Sequence, residues 1–202
     1  MKRVGWSLLH NDLEIRDTGR YGMGVFATRL ISAGEILCVM GGQVADTSLE
    51  NAASPLSTRY NIDFSEECSF CPLEESQVPL MPQLLFNHSC RPNIGFADSQ
   101  TLIAIEPIPG GGECCYDYAF CMWSSEQSVS HFSMPCQCGQ PECRGVICET
   151  DWMRTELQKR YGQWFMPFLR RKMNPTFHRE GEAPSEPIIV GSHGGSPSHI
   201  SQ

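Results

Sequence analysis

Hydrophobic and polar positions alternate in short runs along the first two thirds of the chain. Leu13 and Ile15 share one face of residues 12–16. Residues 24–27 and 35–40 form two more apolar runs, parted by a turn at Ser32-Ala33-Gly34. Alternation returns over residues 60–64 and, after a turn at residues 97–100, over residues 101–106. Pro109 and the glycines 110–112 interrupt the chain before a last strand at 113–118. Short strands, frequent turns and little helical periodicity predict a mainly β fold.

One segment breaks this pattern. Trp152, Leu157, Tyr161, Trp164, Phe165 and Phe168 recur at helical spacing, with basic residues on the other face. Thr150 or Asp151 is the expected cap, and Gly162 and Pro167 are expected to divide the segment into two short helices packed on the core. From residue 174 to residue 202 the chain is rich in Pro, Gly, Ser and His and lacks lysine, which predicts a disordered tail.

Length and charge narrow the classes. With 202 residues, 41% hydrophobic and 19% charged, the chain suits one globular domain with a small appendage. No apolar run reaches the roughly 18 residues of a membrane span, and no export signal is evident, so no membrane association and an intracellular location are expected. Cytoplasm and nucleus fit equally. Residues 44–151 carry 15 acidic and three basic residues, whereas residues 152–172 carry six basic and one acidic. An acidic middle repels phosphate and attracts cations. The expectation is therefore a monomer with a basic protein partner and no direct nucleic-acid binding; the bland alternative is a solubilising surface.

Eleven cysteines, an odd number, change the picture further. In a reducing compartment, clustered thiols read as metal ligands. Cys136, Cys138 and Cys143 lie in a tight loop, Cys136-Gln137-Cys138-Gly139-Gln140-Pro141-Glu142-Cys143-Arg144-Gly145, which suits tetrahedral zinc. A closed site needs a fourth ligand, and Cys148 and Cys90 are both candidates. Cys90 sits in a second dense stretch, Asn87-His88-Ser89-Cys90-Arg91-Pro92-Asn93. That stretch alone also allows a thiol nucleophile with its base. A third stretch, Tyr21-Gly22-Met23-Gly24, lets backbone approach a ligand closely, although alone it reads equally as a turn.

Together these stretches resemble the SET-domain family of protein lysine methyltransferases with its cysteine-rich post-SET segment, over residues 13–145. The resemblance implies a fold of small curled β-sheets with a C-terminal pseudoknot, a zinc-bound post-SET loop and C-terminal helices. Its expected division is a SET domain at 1–130, the zinc segment at 131–150, helices at 151–173 and the tail at 174–202. It implies Cys90 as the fourth zinc ligand beside Cys136, Cys138 and Cys143. It implies S-adenosylmethionine as cofactor, flanked by Tyr21, Gly22, Met23 and Gly24, held by Asn87 and His88, and lined by Tyr60. Trp123, with Phe120, is matched loosely to the lysine channel or the adenine. Tyr118 matches the catalytic tyrosine, and Tyr116 matches the position that limits how many methyl groups fit, here favouring monomethylation. The sequence departs from the family's Gly-Glu-Glu-Leu-Thr-Tyr-Asp-Tyr at Gly112, Cys114 and Cys115. It also has a Cys68-Ser69-Phe70-Cys71 without a matching pair, expected to be reduced structural thiols. The leading expectation is a lysine methyltransferase acting on a basic protein such as a histone. The competing ones are a catalytically silent SET-like binding module and a zinc or thiol protein without transferase activity.

Overall fold

A computed structural model describes residues 1–46, 56, 59–123 and 132–174. The first strands are β1 (Lys2–Val4), β2 (Ser7–Leu9), β3 (Leu13–Asp17), β4 (Met23–Ala27) and β5 (Ile36–Val39). After them come β6 (Val44–Asp46), β7 (Ile62–Asp63), β8 (Cys68–Phe70), β9 (Asn87–His88), β10 (Ile94–Phe96) and β11 (Thr101–Ala104). The last are β12 (Cys115–Tyr116), β13 (Ser133–Pro135) and β14 (Val146–Cys148), followed by helices α1 (Thr155–Tyr161) and α2 (Pro167–Met173).

The strands form small separate sheets. The largest runs β1-β2-β5-β11-β10, all antiparallel. Its inner face buries Leu9, Cys38, Leu102 and Ala104, the period-2 positions that the pleat directs to one side. The hairpin β3-β4 pairs Leu13 with Ala27, both fully buried, while β6-β8-β7 makes a three-stranded sheet. Two pairings matter for the site. β9 and β12 run parallel, with Cys115 opposite Asn87 and Tyr116 opposite His88. β13 and β14 form an antiparallel ribbon in the chain's last third.

Several strands are shorter than the sequence pattern predicts. The expected strand at 113–118 survives only as Cys115–Tyr116. It ends because the Asp117 carboxylate accepts the Ala119 N–H at 3.0 Å and turns the chain into a 3-10 turn, Tyr118–Phe120. β1 and β2 escaped the sequence reading because three residues each are too few to display alternation.

The C-terminal segment divides between α1 and α2 around a 3-10 turn, Gly162–Trp164. Phe165, Phe168 and Leu169 are buried, and Phe120 meets Phe165 and Tyr161 at centroid distances of 4.8 and 5.6 Å. The expected caps are not used. α1 starts behind Arg154, and Asp151 is instead buried beneath Arg144. The tail expected to be disordered lies, apart from Asn174, outside the described residues. Among the described residues no helix is long and apolar enough to cross a membrane.

Candidate active site

The dense Asn-His-Ser-Cys stretch and the terminal tyrosines come together through backbone bonds. The Ser89 N–H donates to the Tyr116 carbonyl at 3.0 Å, and Asn93 Nδ2 donates to the Glu113 carbonyl at 2.8 Å. The Cys115 N–H returns a bond to Asn93 Oδ1 at 2.8 Å. Asn93 thus substitutes side-chain groups for missing strand partners and locks β12 against the loop after β9.

This junction floors a cavity of about 830 Å³, within the range of small-molecule sites. Tyr21, Gly22, Met23, Tyr60, Asn87, His88 and Tyr118 all line it. So does Arg59, the one permanently charged side chain among the described lining residues. A second cavity of about 50 Å³ is walled by Ile62, Tyr116 and Cys121. The two share Arg59, Tyr60, Leu84, Tyr118 and Phe132, so Tyr118 stands in the partition between a large chamber and a narrow one.

The polar groups of the large chamber are oriented. Asn87 Nδ2 donates to the Met23 carbonyl at 3.0 Å and to Glu113 Oε1 at 2.8 Å. Both amide hydrogens are used, which leaves Oδ1 as the free acceptor. The Tyr21 hydroxyl donates to Glu113 Oε2 at 3.2 Å, and burial followed by the Glu113 charge pushes it up to about 12. Gly24 lies beneath this network. A Cβ there would stand 2.6 Å from Glu113 Oε1 and 2.9 Å from Asn87 Nδ2, so glycine is required by close approach. Its backbone supports the wall without lining either cavity.

His88 Nδ1 accepts the Tyr118 N–H at 3.2 Å. Burial pushes its imidazole down to about 4 against the opposing pull of Asp117, so the ring is neutral at physiological pH and carries its proton on Nε2. The Tyr118 ring lies 5.2 Å from His88 and 5.2 Å from Tyr116. Burial raises both phenols well above their ordinary range, so both hydroxyls stay protonated.

The thiols gather beside the chamber. The ligand atoms of His88, Cys90, Cys136 and Cys138 lie within 4.8 Å of one another. Cys90 and Cys136 sulfurs are 3.7 Å apart, and the Cys143 thiol is within hydrogen-bonding reach of Cys136 and Cys138. His88 Nε2 lies 3.3 Å from Cys90 Sγ. Because Nδ1 already accepts a hydrogen bond, Nε2 is a donor toward that sulfur and has no lone pair for a metal. The donor set that fits a structural zinc is therefore the four sulfurs of Cys90, Cys136, Cys138 and Cys143, with His88 supporting one from behind. Backbone N–H groups of Arg144 and Gly145 point at Cys90 and Cys143, both at 3.4 Å. Cys148, the neighbour in sequence, turns instead to Thr150 Oγ1 at 3.2 Å and Asp151 Oδ1 at 3.5 Å.

Three features escaped the sequence reading. Glu113 joins Tyr21 to Asn87. Arg59 sits where the two cavities meet. Arg144, next to Cys143, makes a bidentate pair with Asp117 at 2.5 and 2.8 Å and reaches Asp151 at 3.1 Å. Asp117 is 0% exposed and Asp151 2%, so the arginine compensates two buried carboxylates. The signal was present: an acid between two tyrosines, and a cation following a thiol loop. Trp123 departs from expectation. It lines neither cavity. Its ring is 5.6 Å from Trp152 and lies under Lys172 Nζ at 4.0 Å, and the Trp123 backbone N–H donates to Asp63 Oδ2 at 3.1 Å. The helical segment captures that indole before it can reach the chamber. Phe120 is likewise buried against that segment.

Comparison with known proteins adds the family. Residues 22–119 match the SET domain family. This stretch, just under half of the chain, is similar to a SET domain. It is 27% identical over 172 residues to the histone-lysine N-methyltransferase, H3 lysine-9 specific SUVH1 of Arabidopsis thaliana, covering 66% of this chain and 26% of SUVH1. It is 27% identical over 146 residues to the histone H3-lysine(4) N-trimethyltransferase ATX1 of the same plant, covering 66% of this chain and 13% of ATX1. Over 68 residues it is 35% identical to the histone-lysine N-methyltransferase ash1 of Drosophila melanogaster, 30% of this chain and 3% of ash1. The chain thus spans about a quarter or less of these relatives. The methyltransferase domain of human SETMAR superposes with a TM-score of 0.50 at 19% identity, covering 68% of this chain and 58% of that one, a likeness of fold. KRYPTONITE, solved in complex with mCHG DNA and SAH, gives 0.48 at 23% identity over 68% of this chain and 29% of its own.

Proposed function

We propose that this SET domain is an S-adenosylmethionine-dependent protein lysine N-methyltransferase, acting inside the cell on a basic protein such as a histone and favouring monomethylation. The observation that carries the reading is the pair of cavities meeting at Tyr118: one is large enough for a cofactor, the other narrow enough for a single side chain. The relatives' names, each a histone-lysine methyltransferase, support the substrate class.

S-adenosylmethionine supplies a methyl group carried on a sulfonium sulfur. In the large chamber, Asn87 Oδ1 offers an acceptor and the Arg59 guanidinium suits a carboxylate. The narrow cavity would take the substrate lysine. An amine must lose its proton before it can act as a nucleophile, and its ordinary pKa is about 10.4. Aromatic walls at Tyr60, Tyr116, Tyr118 and Phe132 desolvate it and lower that value. S-adenosylmethionine, when bound, would supply its methyl carbon to the amine's lone pair, the sulfur would keep the electrons of the broken C–S bond, and the amine's surplus proton would pass to water. Tyr118 is held neutral by burial, so its hydroxyl orients the reacting groups and is not the base. Tyr116, on the wall of the narrow cavity, restricts added methyl groups. Zinc on Cys90, Cys136, Cys138 and Cys143 would tie the post-SET loop to β9 without entering the chemistry.

Two measurements test the reading. The purified chain is expected to bind S-adenosylmethionine, and to transfer its methyl group to histones or other basic proteins by mass spectrometry. Tyr118→Phe is expected to keep binding while transfer falls by about a hundredfold or more, the scale of a lost orienting group. A silent module or a plain zinc protein would transfer nothing, and equal transfer by the variant would remove Tyr118 from the mechanism.

A further inference from the structure

We propose that Glu113 makes the large chamber prefer the sulfonium cofactor over the thioether left after transfer. The proposal rests on the reading of that chamber as the S-adenosylmethionine site. Glu113 stands behind two of its walls, with Oε1 accepting from Asn87 and Oε2 from Tyr21. Its backbone is fixed as well, by the bridge to Phe26 and by the bond from Asn93 to its carbonyl. The carboxylate therefore cannot swing toward solvent without releasing both side chains.

Its charge is felt at the chamber's surface. Burial is the main reason that the Tyr21 and Tyr118 hydroxyls are raised, and the negative charge of Glu113 adds to both. Both residues line the chamber, and the influence of Glu113 is second only to burial at Tyr21 and smallest at Tyr118, so its charge weighs most on the Tyr21 side. Arg59, the cation of the lining, belongs to the partition with the narrow cavity. The chamber is thus polarised, with a negative side at Glu113.

A sulfonium cannot shed its charge by losing a proton. A carboxylate nearby in a partly desolvated site attracts it by Coulomb's law, and that attraction disappears when the methyl group leaves and the sulfur becomes neutral. Asn87 and Tyr21 are neutral and have spent their donors on Met23 and Glu113, so whatever they accept from a ligand does not depend on the charge of its sulfur. The charge therefore discriminates between them, and the bonds do not. The consequence is that the spent cofactor is held less tightly than the fresh one, which eases product inhibition.

Calorimetric titration of the purified chain with S-adenosylmethionine and S-adenosylhomocysteine, in separate runs, reads the ratio of the two Kd values. Glu113→Gln is expected to lower the preference for the sulfonium by about tenfold, the size of one partly screened charge interaction. Glu113→Asp and Tyr21→Phe, which keep the charge but disturb the bonds, are expected to weaken both ligands and leave the ratio near the wild-type value. A Glu113→Gln protein with an unchanged ratio overturns the proposal. The wild type gives a test that needs no variant: an analogue with an amine-bearing carbon in place of the sulfur should bind more tightly than the neutral thioether, and binding no tighter than the thioether also overturns it. A wild type that binds none of the three ligands removes the reading of the chamber, and this proposal with it.

Discussion

Tyr118 and Tyr116 show how burial decides the role of a residue. Both were identifiable from the resemblance to the family's Tyr-Asp-Tyr stretch, yet only their surroundings reveal that the hydroxyls are kept protonated. The pH dependence follows from the sign of that shift. Transfer to a lysine peptide is expected to rise with pH as the substrate amine loses its proton, with no falling limb from Tyr118 below about pH 10, the unshifted tyrosine value. A rate profile that turns over near pH 8 would contradict this. The same shift acts on stability. Tyr21, raised to about 12, binds its proton more tightly in the folded chain than in the unfolded one. Its contribution is complete below about pH 10 and is lost as pH rises from there through 12. Product number is set at Tyr116. Removing its hydroxyl in Tyr116→Phe is expected to raise dimethyl product from a minor to a major species by mass spectrometry, and an unaltered product spectrum would show that Tyr116 does not limit it. Glu113 was the least legible residue, because nothing in its flanking glycines and cysteines announces that it joins Tyr21 to Asn87.

At the level of elements, the short parallel pair β9-β12 and the post-SET loop are held by a buried charge network. Arg144 is its centre. Arg144→Met would leave Asp117 buried without its cation and Asp151 with only Arg154 at 3.6 Å, a loss expected to cost about 3–5 kcal/mol and to lower the urea midpoint accordingly. A midpoint within error of wild type would mean that the carboxylates find other partners. Gly24→Ala tests the close approach beneath the cofactor wall, since the new methyl must displace Glu113 or Asn87. Cofactor affinity is expected to fall by about tenfold with the circular dichroism unchanged. The sequence made the longer runs visible, β3, β4, β5 and β11, where alternation or apolar clustering persists for four or five residues. It concealed β1 and β9 and overran β12, elements that pair through two or three residues, β9 and β12 with help from side chains such as Asn93. Helix starts were misread for a related reason: Asp151 has the chemistry of a cap but serves Arg144.

For the molecule as a whole, the acidic middle changes meaning once its residues are located. Asp63, Asp117, Glu149 and Asp151 are buried and do not face solvent. Part of the charge imbalance is therefore structural, and the attraction for a basic substrate is weaker than the sequence count implies. KM for a basic peptide is expected to rise only modestly, about two- to threefold, between low and physiological salt, and a steeper rise would mean that the remaining acids form a true groove. The thiol cluster also links distant parts of the chain, since Cys90 lies 46 residues from Cys136. That link was legible only through the family resemblance, because separation in sequence hides which sulfurs meet. The most direct test of the account is to incubate the chain with methyl-labelled S-adenosylmethionine and histone protein, hydrolyse the product and identify the labelled amino acid. The account predicts label in N-methyl-lysine from the wild type and almost none from Tyr118→Phe; no label at all, or label confined to another amino acid, would contradict it.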